Sequence, residues 1–207
     1  GDIVDSAGCS ALSTPASQAG LTTWANLVKN DHISPVGQTG AEADSLFAAG
    51  KAAMEINGPW AAPTYTAAKV DFGVVKVPTA SDGSNVTLGS IAPLAISAKT
   101  KYPAQAQEFL AYYTSKAEQE KFSLKTGFPP LRTDMTDDAA LKADAIVQTF
   151  TSQLPDAKLY LPRVTNATKV DSDVYVPLIG KITRGTSVAT ATAAATSALN
   201  ALTGCTQ

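Results

Sequence analysis

Gly50-Lys-Ala-Ala-Met-Glu-Ile-Asn-Gly-Pro-Trp-Ala-Ala-Pro63 combines the end of one helix, a short strand and the start of another helix. Gly50 predicts a helix end, because glycine readily adopts the left-handed conformation that terminates many helices. The alternation of apolar and polar residues over Met54–Asn57 predicts a short strand with one buried face. Pro59 follows the turn residue Gly58 and suits the first position of a new helix. The rest of the chain is interpreted around this corner between strand and helix.

Trp60 falls in the first turn of that helix, beside backbone N–H groups that lack an intrahelical partner. An aromatic face at such a corner is a natural platform for a small polar ligand. The alternative is that Trp60 packs in the core, as aromatic side chains mostly do. The residue types alone leave both interpretations open.

The composition is that of a globular chain: 44% of the 207 residues are hydrophobic, 16% are charged and the formal net charge is −2. The absence of a basic tract argues against nucleic acid as a partner. No apolar run approaches the ~20 residues of a membrane span. The first five residues form a short acidic stretch that does not resemble a signal peptide. We therefore expect the chain to be a mature segment.

Helix starts are predicted where a capping residue or a proline precedes an apolar stripe. These starts are Thr14-Pro15, Thr39, Pro103, Ser115, Thr136 or Asp137, and Ser187. In the first helix Trp24 lies on the apolar stripe and is predicted to be a core residue. The helix from Pro103 is expected to bury Ala106, Phe109, Leu110 and Tyr113, and Gly127 and Gly204 are expected to end later helices.

Val70–Pro78 is predicted to be a strand, and Val86–Ser97 is predicted to be a second extended segment that Gly89-Ser90 interrupts. A glycine inside a strand often marks the close approach of another backbone or of a ligand. Pro177 lies inside a helical stretch, where it either starts a helix or kinks one.

The sequence lacks the motifs of common enzymes, including the Gly-x-Ser-x-Gly elbow, the phosphate-binding glycine loop and His-Glu-x-x-His. His32 is the single histidine and has no metal-ligand neighbours in sequence. The carboxylate pairs Glu55 with Asp71, and Asp171 with Asp173, could serve a glycosidase, but acids close in sequence are usually solvated. We therefore expect no catalytic residue, cofactor or metal.

The segment Phe47-x-x-Gly-Lys-Ala-Ala-Met-x-x-Asn-Gly-Pro-Trp60 resembles the signature of extracellular solute-binding proteins of the maltose-binding type, the capture subunits of ABC sugar importers. Similar segments follow in the family's order at Phe72–Pro78, Leu88–Ser97, Ala106–Tyr112 and Thr126–Arg132. The resemblance covers nearly the whole chain, yet it matches only the C-terminal half or so of such a protein.

The resemblance implies an α/β fold of the periplasmic-binding-protein type II class, with two lobes and a hinge crossover. Residues 1–92 would belong to the C-terminal lobe, 93–145 would return to the N-terminal lobe, and 146–207 would close the C-terminal lobe. The N-terminal half of the protein would be a missing partner of this segment.

The implied function is non-catalytic capture of a sugar or oligosaccharide, with hinge closure of the lobes and delivery to ABC permease subunits. The implied location is extracytoplasmic, in the periplasm or as a cell-surface lipoprotein. The alternatives are a carbohydrate-active hydrolase and a structural surface domain.

The resemblance also implies a set of ligand contacts. Trp60 would stack on a pyranose, and backbone N–H groups after Gly58 and around Gly89 would add fixed donors. The other side chains assigned to the ligand are Asn57, Ser90, Phe128, Asp171 and Asp173.

Cys9 and Cys205 are the two cysteines, one near each end of the chain. Two free buried thiols are one interpretation. Since the resemblance implies an exported protein, we favour a disulfide between them.

Overall fold

Helices dominate the computed structural model, which describes residues 1–80, 83–161, 164 and 166–205. Ordered along the chain, the α-helices are α1 (Pro15–Lys29), α2 (Gly40–Ala48), α3 (Ala62–Ala67), α4 (Pro103–Tyr113), α5 (Lys116–Thr126), α6 (Ala139–Ala143), α7 (Ala145–Gln153), α8 (Ala167–Lys169), α9 (Val176–Thr183) and α10 (Val188–Thr203). Shorter 3-10 turns lie at Pro59–Ala61, Thr133–Met135 and Leu154–Asp156, and a π-helical segment at Val170–Tyr175. None of the described helices is long and apolar enough to cross a membrane.

Capping residues start three of the predicted helices as expected. The side-chain oxygens of Thr14, Ser115 and Ser187 each accept a hydrogen bond from the backbone N–H three residues later. Gly127 (φ 77°) and Gly204 (φ 72°) adopt the left-handed conformation that ends α5 and α10.

The sequence predicts one helix that starts at Thr136 or Asp137 and runs through Leu141 and Phe150, and this prediction is wrong in both its start and its continuity. Asp138 caps α6 by accepting from the backbone N–H groups of Ala140 and Leu141. Asp144 then accepts from the backbone N–H of Val147 at 2.9 Å and starts α7. Aspartate side chains compete with helical hydrogen bonds in this way, so one predicted helix becomes two.

Pro177 occupies the second position of α9, directly after the π-helical segment. Proline has no N–H to donate to the carbonyl four residues earlier, which is that of Asp173. The wider π turn accommodates this break in the ladder, so the helical path continues through α8, the π segment and α9.

The strands that form in the described residues are short. β1 (Thr87–Gly89) pairs in parallel with β2 (Ala157–Leu159), with Thr87 opposite Ala157. The strands predicted at 54–57 and 70–78 are wrong, since neither segment is a strand in the structure. Within the segment predicted to be extended over Val86–Ser97, Thr87–Gly89 forms β1. Met54 is 88% exposed, because an alternating pattern marks a face that is buried only when another layer of the protein packs against it.

One compact unit comprises residues 1–39 and 161–207. Its helices α1, α9 and α10 and the π segment pack together, and their buried apolar residues are Leu21, Ala25, Val28, Val170, Val174, Leu178, Ile182, Ala191, Ala195 and Leu199. The prediction that Trp24 is a core residue is wrong: Trp24 is 38% exposed, because the buried face of α1 runs through Leu21 and Val28 instead. Cys9 and Cys205 form the favoured disulfide, with their Cα atoms 5.4 Å apart.

The other compact unit comprises residues 40–160. Met135, Leu141 and Val147 form its central apolar cluster. Helix α4 has no buried residue and Phe109 is 58% exposed, so the predicted inward stripe of α4 is wrong for this structure. The predicted assignment of residues 1–92, 93–145 and 146–207 to lobes stays a prediction.

Candidate functional site

Trp60 lies on an exposed corner where the 3-10 turn Pro59–Ala61 leads into α3. The residue is 61% exposed, so the alternative of a core tryptophan does not describe this structure. A Cβ atom added to Gly58 would overlap ring atoms Cζ3 and Cη2 of Trp60. The indole ring therefore lies directly over Gly58, and any side chain at Gly58 would displace it.

Gly127 and Phe128 support the same corner from the end of α5. A Cβ atom at Gly127 would lie 3.5 Å from the carbonyl oxygen of Pro59, and Gly127 has a φ of 77°. The ring centroids of Phe128 and Trp60 are 6.4 Å apart with the planes tilted by 42°. The half-buried Phe128 also contacts Phe122 of α5, so the neighbour of Trp60 is itself anchored.

Asn57 precedes this corner in the sequence, and its side chain forms hydrogen bonds with three other side chains. Its Nδ2 lies 2.7 Å from Asp44 Oδ1 of α2, 3.2 Å from Glu55 Oε1 and 3.1 Å from the hydroxyl of Tyr65. Its Oδ1 accepts a hydrogen bond from the backbone N–H of Gly58 at 2.8 Å. The hydroxyl of Tyr65 in turn donates to Glu55 Oε2. We call Asp44, Glu55, Asn57 and Tyr65 the Asn57 cluster.

Burial of the Asn57 cluster changes its proton affinities. Desolvation raises the pKa of the Glu55 carboxyl, the hydrogen bond from Tyr65 opposes that change, and the nearby Asp44 adds to it. Desolvation also raises the pKa of the Tyr65 hydroxyl, and its hydrogen bond to Glu55 raises it further. Tyr65 therefore remains a protonated donor. Its ring is held by contacts with Phe47 and Phe72.

Gly89 ends β1, and Ser90 follows it as an exposed residue. A Cβ atom at Gly89 would lie 3.2 Å from the Cβ atom of Ala157 in β2. The Gly89 carbonyl accepts from the backbone N–H of Tyr160 at 3.3 Å. Of the two reasons proposed for a glycine here, the structure shows the close approach of a neighbouring strand.

Asp171 and Asp173 lie in the π-helical segment of the unit formed by residues 1–39 and 161–207. Asp173 accepts a hydrogen bond from the hydroxyl of Ser172, and Asp171 raises the pKa of Tyr175 beyond the increase caused by burial. The two aspartates therefore belong to a different unit from Trp60, Phe128 and Gly89.

The residues that sequence reasoning missed are Asp44 and Tyr65, and Glu55 was considered only as an enzymatic acid. These side chains come from α2, from the extended segment and from α3. No spacing in the sequence brings them together, because the contact depends on how α2 and α3 pack. The carboxylate pair Glu55 and Asp71 has no support, since both Glu55 oxygens bond within the Asn57 cluster.

The family model for bacterial extracellular solute-binding proteins matches residues 2–149, which is more than half of the 207 residues. The chain belongs to this family. The resemblance read from the motif around Trp60 is thereby confirmed.

Relatives of this solute-binding protein include the galactooligosaccharide-binding protein of Bacillus subtilis, which is 27% identical over 121 residues. That alignment covers 56% of this chain but 29% of the relative. The maltodextrin-binding protein MdxE of the same organism is 34% identical over 94 residues, which are 42% of this chain and 21% of that protein.

Solved structures show the fold of the solute-binding protein. The GacH receptor of Streptomyces glaucescens, determined unliganded and with acarbose, superposes with a TM-score of 0.85 at 22% identity. It matches 100% of this chain, which covers 55% of the receptor. The maltose/maltodextrin-binding domain MalE of Bdellovibrio bacteriovorus, bound to maltotriose, gives a TM-score of 0.80 at 25% identity, over 96% of this chain and 53% of that domain. The predicted type II periplasmic-binding-protein fold is confirmed, and the chain spans about half of such a protein.

Proposed function

We propose that the complete protein captures a sugar or oligosaccharide outside the cytoplasm and hands it, chemically unchanged, to the permease of an ABC importer. The observation that carries this proposal is the Trp60 ring, which is exposed yet held over Gly58 and beside Phe128. An aromatic face of this kind suits the apolar face of a pyranose. The family membership supports capture rather than catalysis.

The proposed contacts are those that the family resemblance assigns to the ligand. Trp60 stacks on the sugar, with Phe128 beside it, and Ser90 and the backbone near Gly58 and Gly89 supply hydrogen-bonding groups. Asp171 and Asp173 accept hydrogen bonds from sugar hydroxyls, since a carboxylate can hold two donors at once.

A second part of the proposal concerns the N-terminal half. This chain covers 53% and 55% of the two solved structures that it resembles. Apolar side chains of Phe109, Leu94 and Met54 are exposed in residues 40–160. We expect a preceding segment of the same protein to cover them and to complete the binding site. The mature protein would reside in the periplasm or as a lipoprotein on the cell surface.

The test is isothermal titration calorimetry of the complete protein with maltotriose and with galactooligosaccharides. Trp60→Ala should weaken binding of whichever sugar binds by about 1–3 kcal/mol, the loss expected for an aromatic hot spot. Trp24→Ala removes another exposed indole and should leave affinity unchanged.

Equal losses in both variants, or an unchanged affinity in Trp60→Ala, would contradict the proposed platform. Turnover of a chromogenic glycoside by the wild type would instead favour a hydrolase. A lack of binding to any sugar in the panel would count against sugar capture as a whole.

A further inference from the structure

The amide group of Asn57 is almost fully used within the protein. Its Nδ2 carries two hydrogens and faces three acceptor oxygens at 2.7–3.2 Å, those of Asp44, Glu55 and Tyr65. Its Oδ1 accepts from the backbone N–H of Gly58. No donor hydrogen of the amide remains for a sugar hydroxyl.

The acceptors also fix which way the amide points. Ionised carboxylates only accept hydrogen bonds, so the NH₂ group of Asn57 must face Asp44 and Glu55. The amide oxygen is then directed at Gly58, whose Cα lies under the Trp60 ring. A chain of contacts thus runs from the half-buried carboxylates of Asp44 and Glu55, through Asn57 and Gly58, to the exposed indole ring of Trp60.

We propose that Asp44, Glu55 and Tyr65 are positioning residues for Trp60 and act through Asn57 and Gly58. They orient Asn57, Asn57 fixes the backbone N–H of Gly58, and Gly58 supports the ring. A platform held before the ligand arrives binds more tightly, because less freedom is lost on binding. The effect on affinity rests on the proposed function, whereas the effect on ring orientation does not.

Three substitutions probe separate links of this chain. Asn57→Asp keeps the shape and the acceptor for Gly58 but sets a third carboxylate against Asp44 and Glu55. Tyr65→Phe removes the hydroxyl and keeps the ring contacts with Phe47 and Phe72. Glu55→Gln keeps one acceptor oxygen where the protein uses two.

The readout is the ¹⁹F NMR spectrum of the complete protein labelled with 5-fluorotryptophan. Trp60 gives one resonance, assigned by its loss in Trp60→Phe. In the ligand-free protein we expect Asn57→Asp and Tyr65→Phe to shift or broaden this resonance, and Glu55→Gln to do so less. Tyr102→Phe, which removes an exposed hydroxyl at the start of α4, should leave it unchanged.

Binding of maltotriose provides the second readout and should weaken about tenfold in Asn57→Asp and Tyr65→Phe, as expected when a preorganised group is misplaced. An unmoved Trp60 resonance in folded Tyr65→Phe and Glu55→Gln proteins would overturn the inference. An altered affinity in Asn57→Asp with an unmoved resonance would also overturn it, since Asn57 would then contact the sugar directly. If the wild type binds no sugar, the proposed function fails, and the ligand-free resonance still decides whether the Asn57 cluster positions Trp60.

Discussion

The helical unit of residues 1–39 and 161–207 buries its apolar faces, whereas the unit of residues 40–160 leaves many of its own exposed. In the first unit Leu199 and Val170 are fully buried, and a disulfide ties Cys9 to Cys205. In the second, α4 buries no residue, and the strands predicted at 54–57 and 70–78 do not form.

In this structure the first unit contains its own core, whereas the second leaves large apolar side chains exposed. Each buried large apolar side chain stabilises a fold by roughly 1.5–3 kcal/mol, so an exposed set is a substantial loss for a domain. Because the chain covers about half of its structural neighbours, we interpret the exposed faces as surfaces for the rest of the protein. The two units should therefore respond differently to the same kind of mutation.

Phe109→Ala should change the free energy of unfolding by very different amounts in the complete protein and in the isolated 207-residue segment. This is the largest effect that we expect. In the complete protein, where we expect Phe109 to be covered, the free energy of unfolding should fall by about 3–5 kcal/mol. In the isolated 207-residue segment the loss should stay within about 0.5 kcal/mol, as for a surface residue. Urea denaturation of both proteins measures it, with Glu108→Ala on α4 as a control for helix propensity. Equal small losses in both contexts would show that α4 is a true surface.

Leu199→Ala should destabilise the first unit regardless of context. The side chain is fully buried in α10, so its truncation should lower the free energy of unfolding by about 2–5 kcal/mol. The segment and the complete protein should lose similar amounts, and the exposed Ser197→Ala on the same helix should lose little. A loss of stability seen in the complete protein alone would mean that the stability of the first unit depends on residues outside the 207-residue segment.

The disulfide joins two residues of the first unit, and its removal should destabilise the protein. Replacing Cys9 and Cys205 by Ser should lower the free energy of unfolding by about 2–4 kcal/mol, because the unfolded chain regains freedom. The reduced wild type should behave as the double variant does in thermal denaturation. A double variant as stable as the oxidised protein would contradict this expectation.

The smallest effect that we expect is a pH dependence of the free energy of unfolding caused by Glu55, which lies in the second unit. Burial raises the pKa of Glu55 above its usual 4.5, so the folded state holds this proton more tightly than the unfolded state. The charged carboxylate then costs stability, and this cost is absent below pH 4.5 and grows as pH rises through the folded pKa. The stability of Glu55→Gln relative to the wild type should therefore improve from acid to neutral pH. A difference that does not change with pH would contradict the assigned cause.

The sequence predicted several helix boundaries and the corner that carries the exposed Trp60. Thr14, Ser115, Ser187 and the glycines that end helices act through neighbouring backbone groups, so their roles can be read from short spacings. Where several residues can cap a helix, the sequence does not show which of them does so. Asp138 and Asp144 both act as N-caps and divide one predicted helix into two.

By itself, the sequence determined the family, the helix boundaries set by caps, and the turn that presents Trp60, because these depend on residues close along the chain. Tertiary structure alone decided that Trp24 is exposed and that the segments 54–57 and 70–78 form no strand. It also decided that Asp44 and Tyr65 both contact Asn57. Burial, strand pairing and hydrogen bonds between α2 and α3 depend on which distant segment packs against which, and no local pattern encodes that choice.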